Sequence, residues 1–458
     1  MTSVLLAGGR IIDPATGRDD LGDLLVQDGR VAAIGRPGGL AAERQAERTV
    51  GCAGRLVVPG FIDLHVHLRE APFSAPDAGP SASSPSTSSG QAGQAETIAT
   101  GAAAAVAGGF TTICAMPNTQ PPLDSAEAVA WYAQRGREVG LARVLPVGCM
   151  TRGRAGRAPA DLAALRAAGA AAFSDDGADV ADDAVFEEVL ARAAKLGAVV
   201  SCHCEDPHLA AGGVINDGPI ATALGLPGLP PEAEEMAVER ACAAAARTGC
   251  RVHIAHVSTA GAVEIVSRAK AAGAPVTAEA APHHFTLTDE ALRSRDSVFK
   301  VNPPLRSGHD LDAVIRGLKD GTIDAIATDH APHTAAAKVK RLAEAPPGMI
   351  GLESALAVSA TALVETGLLA WPDLIRLFTA GPARVLGLDA GKIDIGDVAD
   401  LAIIDPAASW LIDPERFASR ARNCPFAGWQ VRGRVVVTLV GGRVVYEEGS
   451  RFKVQGSR

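Results

Sequence analysis

Phe61-Ile62-Asp63-Leu64-His65-Val66-His67 is an apolar run of strand length that carries two imidazoles at its far end. Alternate side chains of a strand share a face, so His65 and His67 project to one side. Downstream, an Ala-rich stretch of helical length (96–107) leads into a second apolar run (110–115), and the pairing then recurs. Further strand-length runs fall at 142–148, 170–174, 198–203, 251–256, 274–279 and 323–328, and helices are expected at 125–139, 182–196, 232–248 and 260–272. Such alternation is the sequence form of repeated βα units. Eight runs predict an α/β protein built on a closed (β/α)₈ barrel.

Outward from the barrel the pattern changes. Residues 3–58 alternate short apolar runs (Val4-Leu5-Leu6, Leu24-Leu25-Val26, Val31-Ala32-Ala33-Ile34) with glycine turns, and Leu401-Ala402-Ile403-Ile404, Val435-Val436-Val437 and Val444-Val445 do the same near the end. Short antiparallel strands are the expectation, with 1–58 and 385–458 pairing into a small β-sandwich domain and 59–384 forming the barrel. The segment 71–95 is rich in Ser, Pro, Ala and Gly, and Asp77 is its only charge. It cannot bury enough apolar surface to offset its ordering entropy, which predicts a surface loop. Because it directly follows the first strand, a lid over the rim is the alternative.

The 458 residues are 47% hydrophobic but only 4% aromatic, so Ala, Val and Leu must fill the core. A formal charge of -9 without a Lys or Arg run argues against nucleic acid, and an anionic substrate would need local positive charge. Eight scattered cysteines lack the spacing of a secreted disulfide scaffold, and the first ten residues lack a signal-peptide pattern, so the cytoplasm is expected. The longest uncharged run, 97–123, is broken by Gly108-Gly109 and three prolines, which excludes it as a membrane span.

Barrel enzymes carry their chemistry at the C-terminal ends of strands. Here those ends hold His65 and His67, then Ser174-Asp175-Asp176-Gly177, His203, His256 and Asp329. One histidine near a strand end is ordinarily a hydrogen-bonded core residue; four at one rim point to a metal. Neutral imidazoles and carboxylates suit Zn²⁺, and a bridging carboxylate would let one site hold two ions about 3.5–4 Å apart. Two ions sharing a water lower its pKa, giving a hydrolytic nucleophile without Ser or Cys. Cys202 and Cys204 face away from His203 and read as packing. His283-His284 reads as structural or supporting, and His208, His253 and His309 as structural or exposed.

The segments DLHVHLRE (63–70), GGFTT (108–112), MPNT (116–119), FSDDG (173–177), HCED (203–206), HVST (256–259), KVNPPLR (300–306) and TDHAPH (328–333) together resemble the bacterial-type (class I) dihydroorotases of the amidohydrolase superfamily. The resemblance spans nearly the whole chain. It implies one zinc on His65, His67 and Asp329, a second on His203 and His256, and Asp176 bridging them, with Asp175 as the alternative bridge. It further implies Asp329 as the catalytic acid–base and substrate contacts from Arg69, Asn118, Asn302, His333 and the backbone of Pro347 and Gly348. The implied reaction is reversible hydrolysis of the dihydroorotate ring amide to N-carbamoyl-L-aspartate, a step of pyrimidine biosynthesis. A homo-oligomer and an aspartate carbamoyltransferase partner belong to the same expectation.

Arg69 offers a fork for a substrate carboxylate, or else a surface ion pair with Glu70. Related hydantoinases and allantoinases bridge their metals with a carboxylated lysine, whereas FSDDG offers only carboxylates. A hydantoinase-like cyclic amidase and a non-catalytic scaffold for the carbamoyltransferase remain the competing readings. The chain departs from the family pattern at Ala71-Pro72 with the following insert, at Ala335-Ala336-Ala337, and at Pro347, where an aromatic residue is usual.

Overall fold

The computed structural model describes residues 3–40, 46–73 and 95–450. Most of the 71–95 insert, residues 74–94, lies outside the described residues, and the choice between surface loop and lid lies there with it.

The chain opens with β1 (Ser3–Asp13), β2 (Arg18–Gln27), β3 (Arg30–Gly35), β4 (Arg48–Gly51) and β5 (Leu56–Pro59). The barrel strands follow: β6 (Phe61–Val66), β7 (Phe110–Ala115), β8 (Arg143–Gly148), β9 (Ala172–Phe173) and β10 (Val199–Cys202). After a two-stranded ribbon of β11 (Ile215–Asn216) and β12 (Gly228–Leu229) come β13 (Arg251–Ile254), β14 (Val276–Ala280) and β15 (Ala325–Ile326). The chain returns through β16 (Leu401–Leu411), β17 (Gln430–Val440) and β18 (Arg443–Glu447).

All eight expected barrel strands are present and hydrogen-bond in the order β6-β7-β8-β9-β10-β13-β14-β15, every pair parallel. Every residue of β6 and β7 is buried, as befits parallel strands covered by helices. Between β15 and β6 the barrel closes with little main-chain ladder: Val66 bridges His330, and the Asp63 carboxylate accepts the Thr328 N–H at 3.1 Å and its hydroxyl at 2.6 Å. A side chain thus replaces ladder bonds at the seam, and β15 is shorter than the apolar run 323–328.

Helices Ile98–Ala107, Ala126–Val139, Asp183–Lys195, Glu232–Thr248 and Ala260–Ala271 stand where the Ala-rich stretches placed them. Thr97, Ser125, Asp182 and Thr259 cap four of them, each side chain accepting a first-turn N–H. The scarce aromatics are concentrated: Phe61, Phe110 and Phe378 pack with ring centroids 5.0–5.8 Å apart where β6 and β7 meet the helix Trp371–Phe378. No helix among the described residues is long and apolar enough to cross a membrane.

Strands from the two chain ends pair through β5 and β16 into one eight-stranded sheet. The expectation of antiparallel strands throughout is corrected here, because β4 and β5 run parallel to β1. The sheet rolls around its own core of Leu6, Leu24, Val31, Val57, Leu401 and Leu439. Its two ends meet at glycine turns: a Cβ on Gly442 would lie 2.6 Å from the Gly29 Cα, so only glycine permits that approach.

Candidate metal centre and substrate pocket

The strand ends turn sharply to aim their side chains into the barrel mouth. Arg69, His256 and Asp329 all have left-handed backbones, with φ of 59°, 33° and 46°. Each such residue costs roughly 1–3 kcal/mol, a cost that persists where the surroundings over-determine the conformation.

His65, His67 and Asp329 form one buried group, with His67 Nε2 at 3.2 Å and His65 Nε2 at 3.6 Å from Asp329 Oδ1. Their outward nitrogens are committed. His65 Nδ1 meets Glu279 Oε1 at 3.2 Å, and His67 Nδ1 meets Asn118 Oδ1 at 2.8 Å. With both Nδ1 atoms donating outward, each Nε2 faces a carboxylate: His67 Nε2 meets Asp329 Oδ1 at 3.2 Å, and His65, whose charge burial opposes, is held well above the usual imidazole range by Asp176, Glu279 and Asp329. Glu279 in turn accepts His253 Nε2 at 3.0 Å, and His253 Nδ1 meets Thr277 Oγ1 at 2.9 Å. A carboxylate behind a histidine fixes ring orientation and tautomer at metal sites. Burial raises the Glu279 carboxyl, but the bond and charge of His253, joined by His65, bring it down to about 2.

His256 forms a second buried group with His65 and Asp176, and His203 lies beside it, His203 Nδ1 2.9 Å from His256 Nε2. The far nitrogen of His203 meets the Asn302 amide at 3.3 Å and lies 4.0 Å from Glu205 Oε2. Burial first, then the charge of His256, holds His203 down to about 4.

Asp176 faces both groups. Its Oδ1 lies 3.2 Å from His65 Nε2, 3.7 Å from His203 Nδ1 and 4.0 Å from His256 Nε2, while Oδ2 lies 3.6 Å from His67 Nε2 and accepts Asn118 Nδ2 at 2.9 Å. Asp175 points elsewhere: it accepts the N–H groups of Met150 and Thr151, at 2.9 and 3.2 Å, and the Thr151 hydroxyl. Tetrahedral zinc with bonds of about 2.0–2.1 Å sets neighbouring ligand atoms roughly 3.3 Å apart, close to several of these separations. The charges agree with that fit. Burial opposes ionisation of Asp176 and Asp329, yet the surrounding imidazoles hold both well below the carboxylate range, and a divalent cation would supply that positive charge directly.

Beside the cluster lies a cavity of about 500 Å³ whose wall includes Arg69, Asn118, His333, Arg154 and Lys340. Cations outnumber Glu344, the acidic residue in this wall, so the pocket supplies the local positive charge that an acidic chain needs for an anionic ligand. Arg69 does not pair with Glu70: its Nε points to the Pro332 carbonyl at 3.4 Å, and Glu70 accepts the Ile98 N–H at 2.7 Å and Arg135 Nε at 3.3 Å. His333 Nε2 meets the Pro347 carbonyl at 2.8 Å. Gly348 has φ of 137°, and a Cβ there would lie 2.9 Å from both Ala331 and the His333 ring, so glycine is required. A larger cavity, about 590 Å³, lies where helix Ile98–Ala107 meets β16–β18, and none of these groups lines it.

Several contributors escaped the sequence reading. Glu279 and His253 sit beneath His65; the signal was a carboxylate inside an otherwise apolar strand. Arg154, itself at φ 53°, donates Nη2 to the carbonyls of Asp175 and Asp176 from the cavity wall, and nothing in its local sequence marks that role.

The family model described as dihydro-orotase-like matches residues 54–262, and one described as the amidohydrolase family matches 209–446. The chain is 46% identical to a dihydroorotase of Pelotomaculum thermopropionicum over 97% of its own length and 99% of the relative's. It is likewise 46% identical to a dihydroorotase of Anaeromyxobacter dehalogenans, over 98% of this chain and 99% of that one. Among solved structures, an L-hydantoinase (dihydropyrimidinase) from Arthrobacter aurescens superimposes with a TM-score of 0.83 at 26% identity, covering 100% of this chain and 98% of the other. A D-hydantoinase from Thermus sp. gives 0.81 at 23% identity over 99% and 97%, a likeness of fold alone. With both family models on the barrel and this identity along nearly its full length, the chain belongs to the dihydroorotase family of cyclic amidohydrolases.

Proposed function

We propose that this chain is a zinc-dependent dihydroorotase, reversibly hydrolysing the ring amide of dihydroorotate to N-carbamoyl-L-aspartate in pyrimidine biosynthesis. The observation that carries the proposal is the Asp176 carboxylate, shared between two histidine groups beside a cavity walled by Arg69. His65, His67 and Asp329 would hold one zinc, His203 and His256 the other, with Asp176 between. Bound there, the two ions would polarise the ring carbonyl and lower the pKa of water.

The chain's own residues do the rest. Arg69 presents two parallel N–H donors to the substrate carboxylate and fixes the ring's orientation. Asn118, Asn302, His333 and the Pro347-Gly348 backbone offer polar contacts to the ring edge. Asp329 removes a proton from the attacking water and delivers it to the ring nitrogen as the carbon–nitrogen bond breaks; in ring closure the same proton travels back. Residues 59–384 form the catalytic barrel in this proposal, and the two chain ends its supporting domain. The setting is the cytoplasm, in keeping with eight free, buried cysteines. A homo-oligomer, with aspartate carbamoyltransferase as the expected partner, completes the proposal.

The test is ring opening by the purified chain, with dihydroorotate, hydantoin and allantoin compared before and after chelation. Chelator-sensitive turnover of dihydroorotate alone is the expected result. Preference for hydantoin or allantoin, which lack the carboxylate assigned to Arg69, would replace the substrate; zinc absent from the purified chain would favour a scaffold.

A further inference from the structure

The one-turn helix Ala335–Lys338 follows His333 and ends in a lysine with no ion pair among the described residues. Its ammonium points instead at three main-chain carbonyls: Lys300 at 3.3 Å, Pro346 at 3.1 Å and Gly348 at 3.0 Å. An ammonium has three donors, so its whole complement is spent on two loops. One loop carries Asn302, which reaches His203, and the other carries Pro347, whose carbonyl meets His333. The loops also grip one another, since Ser297 Oγ donates to the Lys338 carbonyl and Lys300 Nζ to the Ala343 carbonyl at 3.2 Å.

A second side chain reaches the Gly348 carbonyl from outside the barrel. Asn423, in the segment between β16 and β17, donates Nδ2 to Gly348 O and to Ala331 O, both at 3.1 Å. Its Oδ1 accepts the His333 N–H at 3.2 Å, and its own carbonyl accepts Ile350 N–H at 3.1 Å. The side chain is buried with every amide function used.

We propose that Lys338 and Asn423 are positioning residues, a two-sided clamp on the Gly348 carbonyl that presets His333, Asn302 and the Pro347-Gly348 backbone against the substrate ring. The clamp rests on the dihydroorotase proposal for what fills the pocket. It acts chiefly on substrate affinity, because neither side chain itself hydrogen-bonds a candidate metal ligand and the clamped loops reach the cluster through the Asn302–His203 contact at 3.3 Å. A half-buried ammonium without an ion-paired carboxylate is a costly way to stabilise a loop, and burial, helped by the Lys300 charge, pushes Lys338 down to about 7. The cost is intelligible where loop geometry matters more than loop stability.

Lys338→Met keeps the stem and removes the donors. The expected result is a KM for dihydroorotate raised roughly tenfold or more, kcat changed by less than about threefold, zinc content lowered no more than by Asn302→Ala, and faster amide exchange across residues 348–350. Lys338→Arg, which keeps a cationic donor, should recover part of the KM. A KM within about twofold of wild type, with unchanged exchange, overturns the clamp. If Lys338→Met does not fold, Asn423→Ser removes the opposing donor and is judged by the same criteria. If the wild-type chain does not open dihydroorotate, the substrate proposal fails, and exchange at 348–350 alone decides the clamp.

Discussion

The two histidine groups of the cluster are built differently. His65 and His67 each have the outward nitrogen hydrogen-bonded, one to Glu279 backed by His253, the other to Asn118, so their ring orientations are preset by the protein. His203 and His256 instead face each other at 2.9 Å, and the far nitrogen of His203 has the Asn302 amide and, at 4.0 Å, a half-exposed Glu205 carboxylate. One half is organised before any cation arrives. The other would be organised by the cation and by Asp176, the carboxylate common to both, because two facing imidazoles repel once both are charged. Outer hydrogen bonds, more than the identity of the ligands, distinguish the halves.

The largest expected effect joins the halves: Asp176→Ala should abolish binding of two zincs and lower kcat by more than the roughly 10–100-fold typical of an outer partner. Metal analysis beside turnover checks this, and two retained zincs with full activity would remove Asp176 from the bridge. Glu279→Gln should weaken metal affinity by roughly 10–100-fold, and Asn302→Ala by clearly less. Equal losses would erase the difference between the halves. Titrating the zinc enzyme with a chelator should release the ions in two steps, with the His203–His256 ion leaving first; a single step, or the reverse order in a His203→Ala comparison, breaks the distinction.

The smallest effect comes from a carboxylate in neither half, which calibrates stability alone. Burial pushes Glu353 up to about 8 although it accepts the N–H groups of Ala418 and Ser419 at 3.0 and 3.1 Å. The folded chain therefore keeps a proton that the unfolded chain gives up near the ordinary glutamate value, and stability falls as pH rises through that interval. Glu353→Gln removes this dependence. Its melting temperature relative to wild type should climb between pH 5 and pH 8 while zinc content stays constant.

Much of this was legible in the residues. Apolar runs of strand length alternating with Ala-rich stretches of helical length placed eight strands and five helices, because burial on a barrel leaves few choices of residue type. The His-x-His pair, His203, His256, Asp176 and Asp329 were legible because strand ends at one rim must converge. Arg69 as a pocket cation required the fold: the same arginine beside Glu70 read equally well as a surface pair until Glu70 turned to Ile98 and Arg135.

What the sequence determined by itself is therefore whatever follows from local period and strand order: the barrel, its rim, and the donor types gathered there. Tertiary structure alone decided which of Asp175 and Asp176 faces the histidines, since adjacent residues differ only in the direction their backbone gives them. It alone decided that Glu279 supports His65, that β4 and β5 run parallel to β1, and that Asn423 reaches Gly348 across 75 residues of chain. Hydrogen bonds between segments so far apart leave no periodic trace, because their partners are matched in space and not along the chain.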